Sequence, residues 1–161
     1  MKNNSKLIPL MVLSVFILTT SCSSESDDEK DTEKPTISIN YSGGFPQGCD
    51  ELQRGQTYTF KAQVTDNYAL ASYSIDIHNN FDHHTHDDQV GNCEHHEDKE
   101  PVNPLLVLDN YAISGDLKSY EITLDIEIPN DVDIGDYHCQ YSVTDQTGWQ
   151  SQTSIDIKII E

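Results

Sequence analysis

A chain of 161 residues with a formal net charge of −19 has room for one domain beyond a leader. Nine Lys and Arg against 28 Asp and Glu exclude the clustered cations that nucleic acid or an anionic membrane surface would need. The hydrophobic content of 35% is low, and a polar tether accounts for part of the deficit.

Lys2 and Lys6 precede a largely apolar stretch over residues 7–18 that is too short to span a bilayer comfortably. This is signal-peptide architecture over residues 1–21. The stretch ends in Leu18-Thr19-Thr20-Ser21-Cys22, a small residue before a cysteine, as in the lipobox of bacterial lipoproteins. Thr19 stands where an aliphatic residue is usual. Cys22 is the expected lipidation site, and the lipid is the expected membrane contact. Residues 22–34 carry no branched apolar or aromatic side chain and read as a disordered acidic tether. Ser26-Asp27-Asp28-Glu29 resembles the acidic signal that exports lipoproteins to the outer face of the outer membrane. The expected location is the cell envelope, anchored to the outer membrane and surface-exposed.

From residue 35 to 161 the pattern is strand and turn. Apolar residues alternate with polar ones at Ile37, Ile39 and Tyr41, at Tyr58 to Val64, at Tyr73 to Ile77, at Tyr120 to Ile128, at Tyr137 to Val143 and at Ile155 to Ile159. Period-two alternation buries one face of a strand and wets the other. Six such runs and a further strand within 104–113 predict an all-β, immunoglobulin-like antiparallel β-sandwich of about seven strands. Tyr137, two residues before Cys139, has the spacing of a tyrosine corner. Neither Phe60 nor Ala62 is a cysteine, so the inter-sheet disulfide has no partner and Cys139 reads as a buried free thiol. Cys49 and Cys93 both fall in loops; they can pair with each other in an oxidising envelope, or Cys93 can serve as a metal ligand.

Residues 78–98 hold six of the seven histidines: His78, His83, His84, His86, His95 and His96. Neutral imidazole is the commonest metal ligand near neutral pH, and neighbouring carboxylates can orient it. The seventh histidine, His138, begins the strand that a sandwich places antiparallel beside the strand ending at His78. Inward Ile77 and Cys139 leave His78 and His138 facing outward as cross-strand neighbours. The expected ligands are therefore His78, His84, His86 and His138, with His83, His95, His96 and Glu94 as alternates or a second site. Zn²⁺ is the first choice of metal, with Cu²⁺ or Ni²⁺ next. Both methionines lie in the leader, which disfavours a blue-copper site, and the Asp spacing is not that of an EF-hand.

The chain resembles a family of small Bacteroidota surface lipoproteins catalogued as a domain of unknown function. The likeness rests on Asn80-Phe81-Asp82-His83-His84-Thr85-His86, Gly135-Asp136-Tyr137-His138 and Thr144-Asp145-Gln146-Thr147-Gly148-Trp149. It implies an immunoglobulin-like fold, a leader and no established activity. Two functions compete on the residues: transition-metal capture or buffering, with an outer-membrane transporter as partner, and a binding or adhesion module in which Trp149 and residues 104–111 matter more. No His-Glu-x-x-His and no paired nucleophile is present, so an enzyme is not expected.

Overall fold

The computed structural model describes residues 31–90 and 93–161. The leader, Cys22 and the tether up to residue 30 lie outside them. The described residues form nine strands: β1 (Thr36–Ser38), β2 (Glu51–Gln53), β3 (Thr57–Thr65), β4 (Leu70–Asn79), β5 (Gln89–Val90), β6 (Val107–Ala112), β7 (Ser119–Glu127), β8 (Gly135–Asp145) and β9 (Gln150–Ile160). One sheet has the order β1-β3-β7. The other runs β2-β9-β8-β4-β6, with β5 also paired to β9. The two sheets form a β-sandwich.

Alternation explains the core. Phe60, Ala62 and Val64 of β3 and Ile122 of β7 are fully buried, as are Ile75 and Ile77 of β4 and Ile155 of β9. Each of these side chains other than the small Ala62 contributes roughly 1.5–3 kcal/mol through burial. Cys139 also lies in this core as a free thiol. Burial pushes its pKa far above the usual thiol range. Cys139 is therefore expected to resist alkylation in the native protein and to react only in denaturant, as peptide mapping would show.

The strand expected within 104–113 is present as β6, and it pairs with β4 at the outer edge of the larger sheet, Ile77 opposite Val107. Three features differ from the sequence reading. Two short strands, β2 and β5, carry no alternation signal and pair in parallel with β9. Asp31, within the stretch read as a disordered tether, is buried, and its carboxylate accepts from Asn67 Nδ2 at 2.9 Å. Finally, the outer face of β8 and β9 is not wet. Asp136, His138, Ser154 and Asp156 are all buried, because the segment between β4 and β6 folds back across them.

That segment is fastened at several points. Phe81 is buried edge-on to Tyr137, with ring centroids 5.3 Å apart, beneath Lys99 Nζ at 4.1 Å. Gly135 allows this approach: its φ is +134°, and a Cβ there would meet Phe81 Cε1 at 3.0 Å. Cys93 is disulfide-bonded to Cys49, with Cα atoms 5.6 Å apart. The Tyr137 hydroxyl donates to the Asp133 carbonyl at 2.7 Å, the backbone link of a tyrosine corner, and accepts the Leu105 N–H at 3.2 Å. Tyr137→Phe leaves both groups without that partner and is expected to cost about 1–3 kcal/mol. In urea unfolding the midpoint should fall with an unchanged slope.

Candidate metal centre

β4 and β8 pair antiparallel with His78 directly opposite His138. Beyond Asn79 the chain turns: the Asn80 N–H bonds to the Asp136 carbonyl at 2.8 Å, and His83 adopts a positive φ of 54°. The turn carries the following His-x-His pair back over the end of β4. His78 Nε2 then lies 3.2 Å from His84 Nε2 and 3.2 Å from His86 Nε2. One ring nitrogen from each of the three histidines falls within 4.8 Å of the others.

Carboxylates fix the state of two of these rings. Asp76 Oδ1 is 2.8 Å from His78 Nδ1, and Asp82 Oδ1 is 2.6 Å from His84 Nδ1. An ionised carboxylate only accepts, so each Nδ1 donates, and in the neutral ring each Nε2 presents a lone pair. The bond from His84 also holds the Asp82 carboxyl below its ordinary pKa. Two lone pairs 3.2 Å apart repel unless a cation or a proton lies between them. Tetrahedral coordination with Zn–N bonds of about 2.05 Å would separate neighbouring nitrogens by about 3.3 Å. Carboxylate–imidazole pairing of this kind is what orients metal-binding histidines. Burial, and then the neighbouring His78 and His84, hold His86 below the usual imidazole pKa.

His138 stands beside this trio without joining it. Its ring centroid is 4.6 Å from that of His86 and 4.9 Å from that of His84. Its Nε2, however, is 3.0 Å from the His84 carbonyl oxygen, to which it donates. Its Nδ1 is 2.8 Å from Asp156 Oδ1 yet out of line for a hydrogen bond. The side chain is wholly buried, and that burial lowers its pKa. In this arrangement His138 positions the backbone of His84 rather than offering a ligand atom.

The alternates collect elsewhere. His83, His95 and Asp136 form a second group. His83 Nε2 lies 3.7 Å and His95 Nδ1 3.9 Å from Asp136 Oδ2. His83 Nδ1 is paired with Asp98 at 2.8 Å, and its buried Nε2 has no partner among the described residues. His96 binds Asp136 through both its backbone N–H and its ring. Burial pushes the Asp136 carboxyl up, but those two bonds outweigh it and hold the group low. Glu94 is exposed and belongs to neither group. Cys93 is held in its disulfide, so it is not a thiolate ligand. Asp76 and Asp82 stand outside the expected ligand set. Each sits two residues before the histidine it supports, and that spacing was the available signal.

A family model described as a domain of unknown function, DUF4625, matches residues 20–160. No curated protein matches the chain.

Proposed function

We propose that this chain, which belongs to the DUF4625 family, binds a transition-metal ion through His78, His84 and His86, with Zn²⁺ first and Cu²⁺ or Ni²⁺ next. The observation that carries this reading is the convergence of three Nε2 atoms, those of His84 and His86 each 3.2 Å from that of His78, with two of the rings backed by carboxylates. Such a site suits capture or buffering of the ion. The leader pattern and Cys22 support a lipid-anchored protein of the outer-membrane surface, where captured metal could pass to a membrane transporter.

The test is elemental analysis of tag-free protein after gel filtration, followed by zinc titration against a competing chelator. About one tightly held equivalent is expected. A protein that emerges without metal and takes none up would sink the proposal. Asp82→Asn should weaken zinc binding about tenfold without unfolding the domain, because it removes the anion that orients His84.

A second reading has its own observation. Leu106 and Leu108, beside and within the edge strand β6, are 69% and 72% exposed. An exposed apolar edge can accept an added strand from another protein, as an adhesion module would. In that case His84→Ala would leave partner binding intact, whereas a charge at Leu108 would abolish it.

A further inference from the structure

Far from the histidines, the other end of β8 carries a second kind of site. His138 and Asp145 are separated by about 23 Å along the strand. There Asp31, Asp66 and Asp145 come together, with one oxygen of each within 4.8 Å of the others. Asp31 lies where the chain begins the domain, Asp66 follows β3 and Asp145 ends β8. Asp145 is 2% and Asp31 6% exposed.

Local donors satisfy one oxygen of each carboxylate and leave others open: Asp31 Oδ1 accepts the Glu33 N–H at 3.0 Å and Asn67 Nδ2 at 2.9 Å, and Asp66 Oδ1 accepts the Tyr68 N–H at 2.8 Å. Asp145 Oδ1 accepts the Thr147 and Trp149 N–H groups at 2.8 and 2.9 Å. Asp145 Oδ2 is buried with no partner among the described residues, and so is Asp66 Oδ2. The Thr147 hydroxyl is 2.9 Å from Asp145 Oδ1 and 3.2 Å from Asp31 Oδ2, but it has one proton and can serve only one of them. None of the ion pairs among the described residues involves the three aspartates. Lys118 Nζ donates instead to the Asn67 carbonyl at 2.8 Å. Buried anions without a counter-charge carry a penalty of several kcal/mol each, so the unpartnered Asp145 oxygen points to a cation.

We propose that Asp31, Asp66 and Asp145 bind a hard divalent cation, Ca²⁺ first, which clamps the start of the domain to the β3–β4 and β8–β9 turns. All-oxygen donors select Ca²⁺ over the softer metals that imidazole prefers. Ca²⁺ takes bonds of about 2.4 Å in flexible geometry and so accommodates oxygens up to the 4.8 Å within which all three fall, whereas Mg²⁺ demands a near-ideal octahedron. The proposal is independent of the histidine site, which uses different residues and a different donor chemistry.

The experiment is Ca²⁺ titration of chelator-stripped full-length protein, followed by calorimetry and thermal unfolding. One equivalent with a dissociation constant of about 0.1–1 mM is expected, the range of extracellular calcium modules. At about 10 mM Ca²⁺ the Tm should rise by about 5 °C. Asp145→Asn keeps the Oδ1 acceptor and removes one charge. It should lose the Ca²⁺ response while unfolding no lower than wild type in chelator. Should that variant fail to fold, the half-buried Asp66→Asn takes its place, with the same loss expected. His84→Ala should retain the full response. Absence of binding up to about 10 mM, or retention of it by the Asn variant, overturns the proposal.

Discussion

Replacing His84 with Ala is expected to weaken zinc binding by about 100-fold or more, while His138→Gln weakens it by less than about tenfold. The first figure follows from removing one of three donors from a site whose binding energy is shared among its ligands. The second follows from geometry. His138 donates its Nε2–H to the His84 carbonyl, so it would act on a bound ion only through the backbone of another residue. A glutamine amide can supply the same donor. His138→Ala removes that donor and leaves the Asp156 carboxylate buried beside a void. It should therefore lose about 1–3 kcal/mol of stability along with its modest loss of affinity. Chelator-competition titrations of the three variants, read beside their urea midpoints, separate the roles. Equal and large affinity losses for His84→Ala and His138→Gln would mean that His138 turns its ring into the shell as a fourth ligand.

The partnership of His78 and His138 was legible because alternation fixes which residues face the same way and because neighbouring antiparallel strands fix what lies opposite. Residues 73–77 and 137–143 carry that pattern on the two strands concerned. The covering of the outer face was not legible. It depends on Phe81 packing against Gly135 and Tyr137, on a two-residue strand at Gln89–Val90, and on hydrogen bonds made to Asp133 and Asp136. None of these leaves a periodic trace. An outward histidine on an alternating strand reads as solvated, yet His138 is buried because a loop with no repeat of its own lies on top of it. β6 poses a related difficulty: its six residues, Val107–Ala112, do not alternate and do not say which sheet edge they will join. The three aspartates at the far end stand in separate turns, where each alone is an ordinary turn residue. Only the fold brings them together.

Reducing or deleting the Cys49–Cys93 bond should destabilise the domain by about 2–4 kcal/mol and weaken zinc binding by about tenfold. The bridge closes a sequence separation of 44 residues, for which the loop-entropy relation gives about 4 kcal/mol as an upper figure. Its second effect follows from where it sits. β2 pairs with Lys158–Ile160 of β9, β5 with Ser154–Ile155, and the Cys49 N–H bonds to the Asp156 carbonyl between them at 2.8 Å. Strands of two and three residues hold their places weakly by themselves. The disulfide ties the two together along one edge of β9. Gln89 carries that order on to the histidines: its amide nitrogen donates to Asp156 Oδ2 at 2.7 Å, and its Oε1 accepts the His86 N–H at 3.3 Å. Loosening β5 frees His86 more than His84, which keeps its own link to His138. Cys49→Ser with Cys93→Ser should therefore resemble a partial loss of the His86 ligand, and saturating zinc should recover part of the lost Tm, since an ion bound more tightly by the folded site than by the unfolded chain stabilises the fold. Wild-type protein treated with a metal-free reductant should behave as the double variant does. If affinity stays unchanged while stability falls, the hydrogen bonds of Gln89 hold His86 without the bridge, and the disulfide serves the fold alone.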